Sequence, residues 1–328
     1  MKSVLQVCRE PAGEADELAA QQAETISFLF RDFHIALPKA TMIRRDESLA
    51  RRTTLRVGGP ADLYVEPPTE SALATVLELC ALRRAPILVL GRGSNLLVRD
   101  GGFRGVAISL ASAEFSRIEA QEGQLRVGAG ARLKQVATEA RRLGWSGLEF
   151  LEGIPGSMGG ALRMNAGAMG RWTFDVVERL RCMDRQGVAL DLERSAIEVG
   201  YRSCPLLATH LALGAVLRAE PASVDEIRSR MDTYSRKRWE SQPSQPSAGC
   251  TFKNPAADLP AGRLIEELGL KGTRVGDAMV SDVHANFFVN LGAATARDVL
   301  SLIDLVRTRA LEARGVRLEP EIEIVGED

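Results

Sequence analysis

The spacing of apolar residues changes twice between residues 61 and 90. Residues 61–66 are a short, largely apolar run closed by Pro67 and Pro68, the mark of a strand. Residues 71–84 then place Leu73, Val76, Leu77 and Cys80 on one face of a helix, and 86–90 read as a second buried strand, completing a βαβ unit. A related order follows: a strand over 124–128, a helix over 133–143 stopped by Gly144, and an apolar stretch over 148–154 that runs into glycines. The first half is therefore α+β. Upstream, residues 1–42 read as a separate leader of no assigned role, with an amphipathic helix carrying Leu18, Ile26, Leu29 and Phe33 before the break at Pro38. Downstream, a helix over 224–239 ends in SQPSQPSAG, a domain junction or an active-site loop. Thr295 and Asp298 form a T-x-x-D start signal for a helix with Val299, Leu300, Ile303, Val306 and Leu311 on one side and Gly315 just beyond its end. A closing strand over 316–325 alternates Leu318, Ile322 and Ile324 with Glu319, Glu321 and Glu323.

Composition narrows the class. A length of 328 residues suggests two domains or one large mixed one. With 45% apolar and 26% charged residues the chain can build a sizeable core, which excludes global disorder. A net charge of −1 argues against nucleic acid or an anionic membrane as the main partner. Cys8, Cys80, Cys182, Cys204 and Cys250 form no CxxC pair and no zinc-ligand spacing, as expected of reduced thiols in a cytosol. No apolar run approaches the ~18 residues of a membrane span. Arg9, Glu10, Glu14, Asp16 and Glu17 stand where a secretory signal would be apolar, so a cytoplasmic protein is expected.

Four segments carry candidate chemistry. VLGRGSNLLV (89–98) runs a buried strand into Gly91, Arg92, Gly93, Ser94 and Asn95, where backbone N–H groups can converge on a phosphate; taken alone, an ordinary glycine turn between two strands is the simpler reading. GIPGSMGGALRMNAGAMG (153–170) has six glycines, which suit close approach to a flat or charged ligand, or a pair of bulges at a sheet edge. Two such stretches could grip opposite sides of one large ligand. GYRSC (200–204) and PSAGCTFKNP (246–255) offer a permanently charged arginine and a cysteine among small residues, each more often structural than catalytic. His34, His210 and His284 show no metal spacing, and no metal is expected.

Together these segments resemble the UDP-N-acetylenolpyruvoylglucosamine reductases, also called UDP-N-acetylmuramate dehydrogenases, of bacterial peptidoglycan synthesis. The likeness runs from about 43 to 327 and includes TTLRVGGPADLYVEP, LGRGSNLLVRDGGFRGVAI, GIPGSMGGALRMNAGA, the YR of GYRSC, PSAGCTFKNP, AGRLIEELGLKG, HANFFVN and LEPEIEIVG. The resemblance implies an α+β fold with two FAD-clasping subdomains of the vanillyl-alcohol-oxidase type over 43–218 and a C-terminal α+β substrate domain over 219–328, whose last strand returns to the active site. It implies that NADPH reduces a non-covalent FAD, which passes hydride to an enolpyruvyl ether of a nucleotide sugar, in a monomer. By position in the family motifs, Arg202 stabilises the charge pushed into the substrate carboxylate, and Glu321 shares that role. Periodicity alone does not choose among Glu319, Glu321 and Glu323. Gly91 to Asn95 and Pro155, Gly156 and Ser157 carry over as cofactor loops, and Tyr201, Lys253 and Asn254 as contacts to the diphosphate or sugar.

Two departures stand out. Cys250 occupies the slot of the family's proton-donating serine; a thiol, with a reference pKa of ~8.5, is the stronger acid. The thiol is expected to be neutral in the resting enzyme, although Arg202 would draw its pKa down toward thiolate and make the free enzyme readily alkylated, while a bound substrate carboxylate would raise the pKa again and protect it. The 48 residues from Arg202 to Cys250 are too few for the tyrosine-bearing capping loop of one class, so the chain resembles the loop-less class and must close over substrate by other means. The rivals are an oxidase on the same scaffold, with a covalent flavin, and a homologue that has lost catalysis. Against the first, no histidine lies between 35 and 209.

Overall fold

A computed structural model describes residues 12–328 other than Glu122 and Ala257, and the side chains from residue 20 onward. Cys8 and the side chain of Leu18 lie outside the described residues. The first subdomain is a four-stranded sheet in the order Met42–Ser48, Pro60–Glu66, Phe103–Ser109, Ile87–Leu90. The βαβ unit is present, with its helix at Glu70–Leu82 capped by the Thr69 hydroxyl, but its two strands are not neighbours. Phe103–Ser109 lies between them and pairs parallel with both, because its Val106, Ala107 and Ile108 are buried and need partners on each edge.

The second subdomain is a five-stranded antiparallel sheet in the order Ala189–Glu193, Val177–Met183, Leu211–Arg218, Gln124–Gly128, Ile118–Gln121. The helix Leu133–Arg142 covers one face through Leu133, Val136, Ala137 and Ala140. The apolar stretch before the second glycine loop is a short 3-10 helix, Glu149–Gly153, in which buried Glu149 accepts from Arg230 at 3.0 Å. These elements share one core with the first subdomain.

The leader is not separate. Its helix, Ala12–Ala36, buries Ile26, Leu29 and Phe33 in the same core as Leu73 and Val76, and Asp32 pairs with Arg83 at 2.8 Å. The helix Val224–Ser241 also packs there through Ile227 and Met231, so packing places it with the first half, beyond the boundary expected at 218.

The last domain has a four-stranded antiparallel sheet, Ser247–Cys250, Phe287–Asn290, Ala278–Val280, Arg274–Val275, covered by the helices Ala261–Glu267 and Ala296–Arg314. The latter begins with the Thr295–Asp298 capping box and ends at Gly315 in the left-handed region (φ 65°), as its sequence predicts. Its first N–H groups are also taken by a distant acid: Asp100 accepts from Ala296 and Arg297 at 2.8 and 2.9 Å. The core of this domain takes in Leu55, Val57 and Leu97 of the first subdomain.

The closing strand is shorter than expected. Only Glu323–Val325 is a strand, parallel to Leu96–Val98. Before it the chain runs along residues 251–253, where the Lys253 N–H donates to Glu319 O and the Glu321 N–H to Thr251 O. It then changes partner at Ile322. Pro320, which has no N–H, sits in the middle of the first stretch.

Candidate active site

The site lies where this closing segment meets both glycine loops and the strand Ser247–Cys250. Local polar groups hold each piece. The Asn95 Nδ2 donates to the Glu321 carbonyl at 3.1 Å, and the Glu323 N–H donates to the Asn95 carbonyl at 2.9 Å. The Thr54 hydroxyl donates to the Ser247 carbonyl at 2.7 Å while its N–H donates to the Gly93 carbonyl at 3.2 Å. Buried Asn286 clamps the other end of the loop: its Oδ1 accepts from the Phe252 N–H at 2.9 Å and its Nδ2 donates to the Phe252 carbonyl at 2.8 Å. Through these contacts Thr54 of the TTLR segment and Asn286 of HANFF hold the loops in place.

The two glycine loops touch each other. The Ser94 hydroxyl donates to the Pro155 carbonyl at 2.9 Å, and a Cβ on Gly156 would stand 3.2 Å from the same hydroxyl. Gly93 is in the left-handed region (φ 60°), and a Cβ there would meet Arg52 O and Thr53 Cα at 2.7 Å. Its lack of a side chain thus serves chain packing first. Beside it, the buried Thr53 hydroxyl has no hydrogen-bond partner among the described residues, and such an orphan in a polar loop fits a bound ligand. Gly91 and Arg92 are exposed, and Ser157 is buried at the start of the helix Met158–Arg163.

Arg202 sits on a tight turn closed by the Gly200–Ser203 bridge, itself in the left-handed region (φ 54°). Its Nε donates to Glu321 Oε1 at 2.6 Å, with 21% of the arginine side chain and 9% of the glutamate side chain exposed. The three acids of the closing segment are told apart by partner: Glu319 pairs with Lys253 at 3.4 Å and Glu323 with Arg163 at 3.2 Å, both at the surface. Burial raises the Glu321 carboxyl above its usual range, opposed by Arg202 and Lys253.

Half-buried Cys250 ends its strand opposite Phe287, next to Thr251, the residue that holds Glu321. Burial first and then Glu321 push its thiol up to about 11, against the opposite pulls of Arg202 and Asn286. The expectation of a thiol drawn toward thiolate is therefore reversed: desolvation of the charged form outweighs the arginine. Lys253 and Asn254 are exposed, and the Asn254 Oδ1 caps the helix Ala261–Glu267 by accepting from the Ala261 N–H at 3.0 Å. Tyr201 is 51% exposed beside Arg202.

Arg238 was not found from the sequence. Half-buried in the last turn of its helix, it donates to the Gly153 carbonyl at 3.2 Å. Its signal, a basic run RKR just before the polar loop, is local and common.

Residues 61–193 match the model of the FAD binding domain, and 242–325 that of the UDP-N-acetylenolpyruvoylglucosamine reductase C-terminal domain. A UDP-N-acetylenolpyruvoylglucosamine reductase of Geobacter metallireducens is 46% identical over 287 residues, 87% of this chain and 95% of that one. The chain belongs to this reductase family. Another member, from Clostridioides difficile, is 41% identical over 288 residues, 87% of this chain and 94% of its own. The crystal structure of UDP-N-acetylenolpyruvylglucosamine reductase from Thermus caldophilus superposes with a TM-score of 0.74 at 40% identity, covering 87% of this chain and 98% of that one. The reductase fold expected from the motifs, an FAD-binding pair of α+β subdomains followed by an α+β domain, is the fold of this chain.

Proposed function

We propose that the chain reduces UDP-N-acetylglucosamine enolpyruvate to UDP-N-acetylmuramate in peptidoglycan precursor synthesis, acting as a cytoplasmic monomer with Arg202, Glu321 and Cys250 as its catalytic residues. It is a flavin-dependent oxidoreductase with FAD as cofactor and NADPH as hydride donor. Among the described residues no helix is long and apolar enough to cross a membrane. The observation that carries the reading is the Arg202–Glu321 pair set beside a protonated, half-buried thiol, where the closing segment meets both glycine loops.

FAD fits the loops Gly91, Arg92, Gly93, Ser94, Asn95 and Pro155, Gly156, Ser157, with the orphan Thr53 hydroxyl as a further donor. When bound, it supplies the hydride taken from NADPH. Hydride at the terminal carbon of the enolpyruvyl group pushes charge into the conjugated carboxylate. Arg202 meets that charge: its Nε is held by Glu321, and its two terminal nitrogens make no hydrogen bond to the described residues, leaving them for a carboxylate. A fixed donor of this kind contributes ~2.7–4 kcal/mol to the transition state. Cys250 holds the proton for the carbon next to the carboxylate, and its raised pKa keeps that proton in place at neutral pH. Tyr201, Lys253 and Asn254 line the approach for the diphosphate and sugar, and Arg238 adds a cation beside the second loop.

The test is anaerobic spectroscopy of the purified protein. A yellow protein that NADPH bleaches, and that regains colour only on adding the enolpyruvyl nucleotide, supports the proposal. Rapid recolouring in air alone points to an oxidase. A colourless protein that takes up no flavin overturns both.

A further inference from the structure

Among the described residues Arg202 has one carboxylate partner, on its Nε, and its side chain is long, with four rotatable bonds. Fixing such a chain costs rotamer freedom, which any ligand meeting a loose arginine would have to supply. The guanidinium is nevertheless not loose. Its Cζ lies 5.5 Å from the Trp172 ring and 5.4 Å from the Tyr201 ring, and the two rings stand edge to face at 5.7 Å and 80°.

The chain around Trp172 is built to present this indole. Gly167–Ala168 and Arg171–Trp172 form a small hairpin in which Trp172 pairs with Gly167. A Cβ at residue 167 would run into the indole, so the ring can lie across the hairpin only because glycine stands opposite. The Trp172 N–H donates to Asp175 at 2.8 Å. Asn165, buried and in the left-handed region (φ 38°), ties this segment to the arginine's turn: its Nδ2 donates to the Gly200 carbonyl at 3.1 Å and its Oδ1 accepts from the Phe174 N–H at 3.1 Å.

We propose that Trp172 is a positioning residue for Arg202: together with Tyr201 it brackets the guanidinium, holding Nε on Glu321 and the terminal nitrogens open to the substrate carboxylate. This deepens the reading of Arg202 as the carboxylate-binding cation and rests on it.

A double-mutant cycle on flavin reoxidation by UDP-N-acetylglucosamine enolpyruvate, measured in the reduced holoenzyme by stopped flow, tests the pair. Trp172→Leu removes the ring face and should slow reoxidation about tenfold, the scale of a part-desolvated cation–π contact. Trp172→Phe should stay within about threefold, since a smaller ring face remains. In an Arg202→Ala background Trp172→Leu should add less than about twofold, because the group it positions is gone. Equal losses in both backgrounds, or a Trp172→Leu enzyme at parent rate while Arg202→Ala is crippled, overturn the proposal and leave the reading of Arg202 intact. An Arg202→Ala enzyme at parent rate overturns that reading itself. Should Trp172→Leu not fold, Trp172→Met, long and apolar without a ring, takes its place in the cycle.

Discussion

The Nε of Arg202 and the Oε1 of Glu321 meet at 2.6 Å across 119 residues of sequence, and each is placed by a different part of the chain. The arginine rides a strained turn of the second subdomain. The glutamate is fixed through its backbone, by Asn95 on the first glycine loop and by Thr251 next to Cys250. One ion pair thus closes the three parts of the fold around a single point.

From this pairing Arg202→Ala should slow flavin reoxidation by substrate roughly 10²-fold or more, the scale of one lost charge-stabilising donor, with flavin reduction by NADPH near the parent rate. Glu321→Gln should be damaging in the same half-reaction. Glu319→Gln and Glu323→Gln remove only surface pairs with Lys253 and Arg163 and should change it by less than about twofold. Stopped-flow measurement of the two half-reactions decides, and equal damage from all three glutamines would falsify the assignment.

Gly93→Val should destabilise the protein with or without flavin. A β-branched residue at φ 60° meets the backbone of Arg52 and Thr53, a combination of strain and overpacking of about 2–5 kcal/mol. Melting of flavin-free and flavin-loaded protein checks this. A drop confined to the loaded form would mean that the residue matters through the cofactor alone.

Cys250 should be slow to alkylate at neutral pH, with a rate that climbs about tenfold per pH unit as the thiolate fraction grows, levelling near 11. Glu321→Gln removes a group that raises this pKa and should speed alkylation at pH 8; Arg202→Ala should slow it. The stability effect has a definite sign. The unfolded thiol titrates near ~8.5, so its contribution to folding is complete below that pH and is lost as pH rises toward the folded value. Cys250→Ser should keep turnover and abolish the labelling, and Cys250→Ala should stall protonation. Parent turnover in the alanine variant would move the proton to another donor, such as a water held by Glu321.

Phe33→Ala should cost about 3–5 kcal/mol in denaturant unfolding, because its ring is fully buried in the main core. A change under 1 kcal/mol would show that the leader helix is dispensable, contrary to its packing against Leu73 and Val76.

What the sequence determined by itself were features with local causes or with long motifs. The helix Ala296–Arg314 was legible at both ends because a capping box and a left-handed glycine act within one turn. The helix faces followed from their period, and the family followed from segments too long and too ordered to recur by chance. The three glutamates of the closing segment could not be ranked, because residues two apart look alike in an extended chain and only their partners differ. Tertiary structure tells them apart, by bringing Arg202 to Glu321 and leaving Lys253 and Arg163 to its neighbours. It also set the Cys250 thiol at about 11 where the nearby arginine alone suggested the opposite, since desolvation depends on everything packed around the sulfur. It put Trp172 against Arg202, 30 residues on, for which no spacing or motif prepares the reader. Each of these outcomes rests on contacts between segments far apart in the chain, and such contacts exist only once the chain has folded.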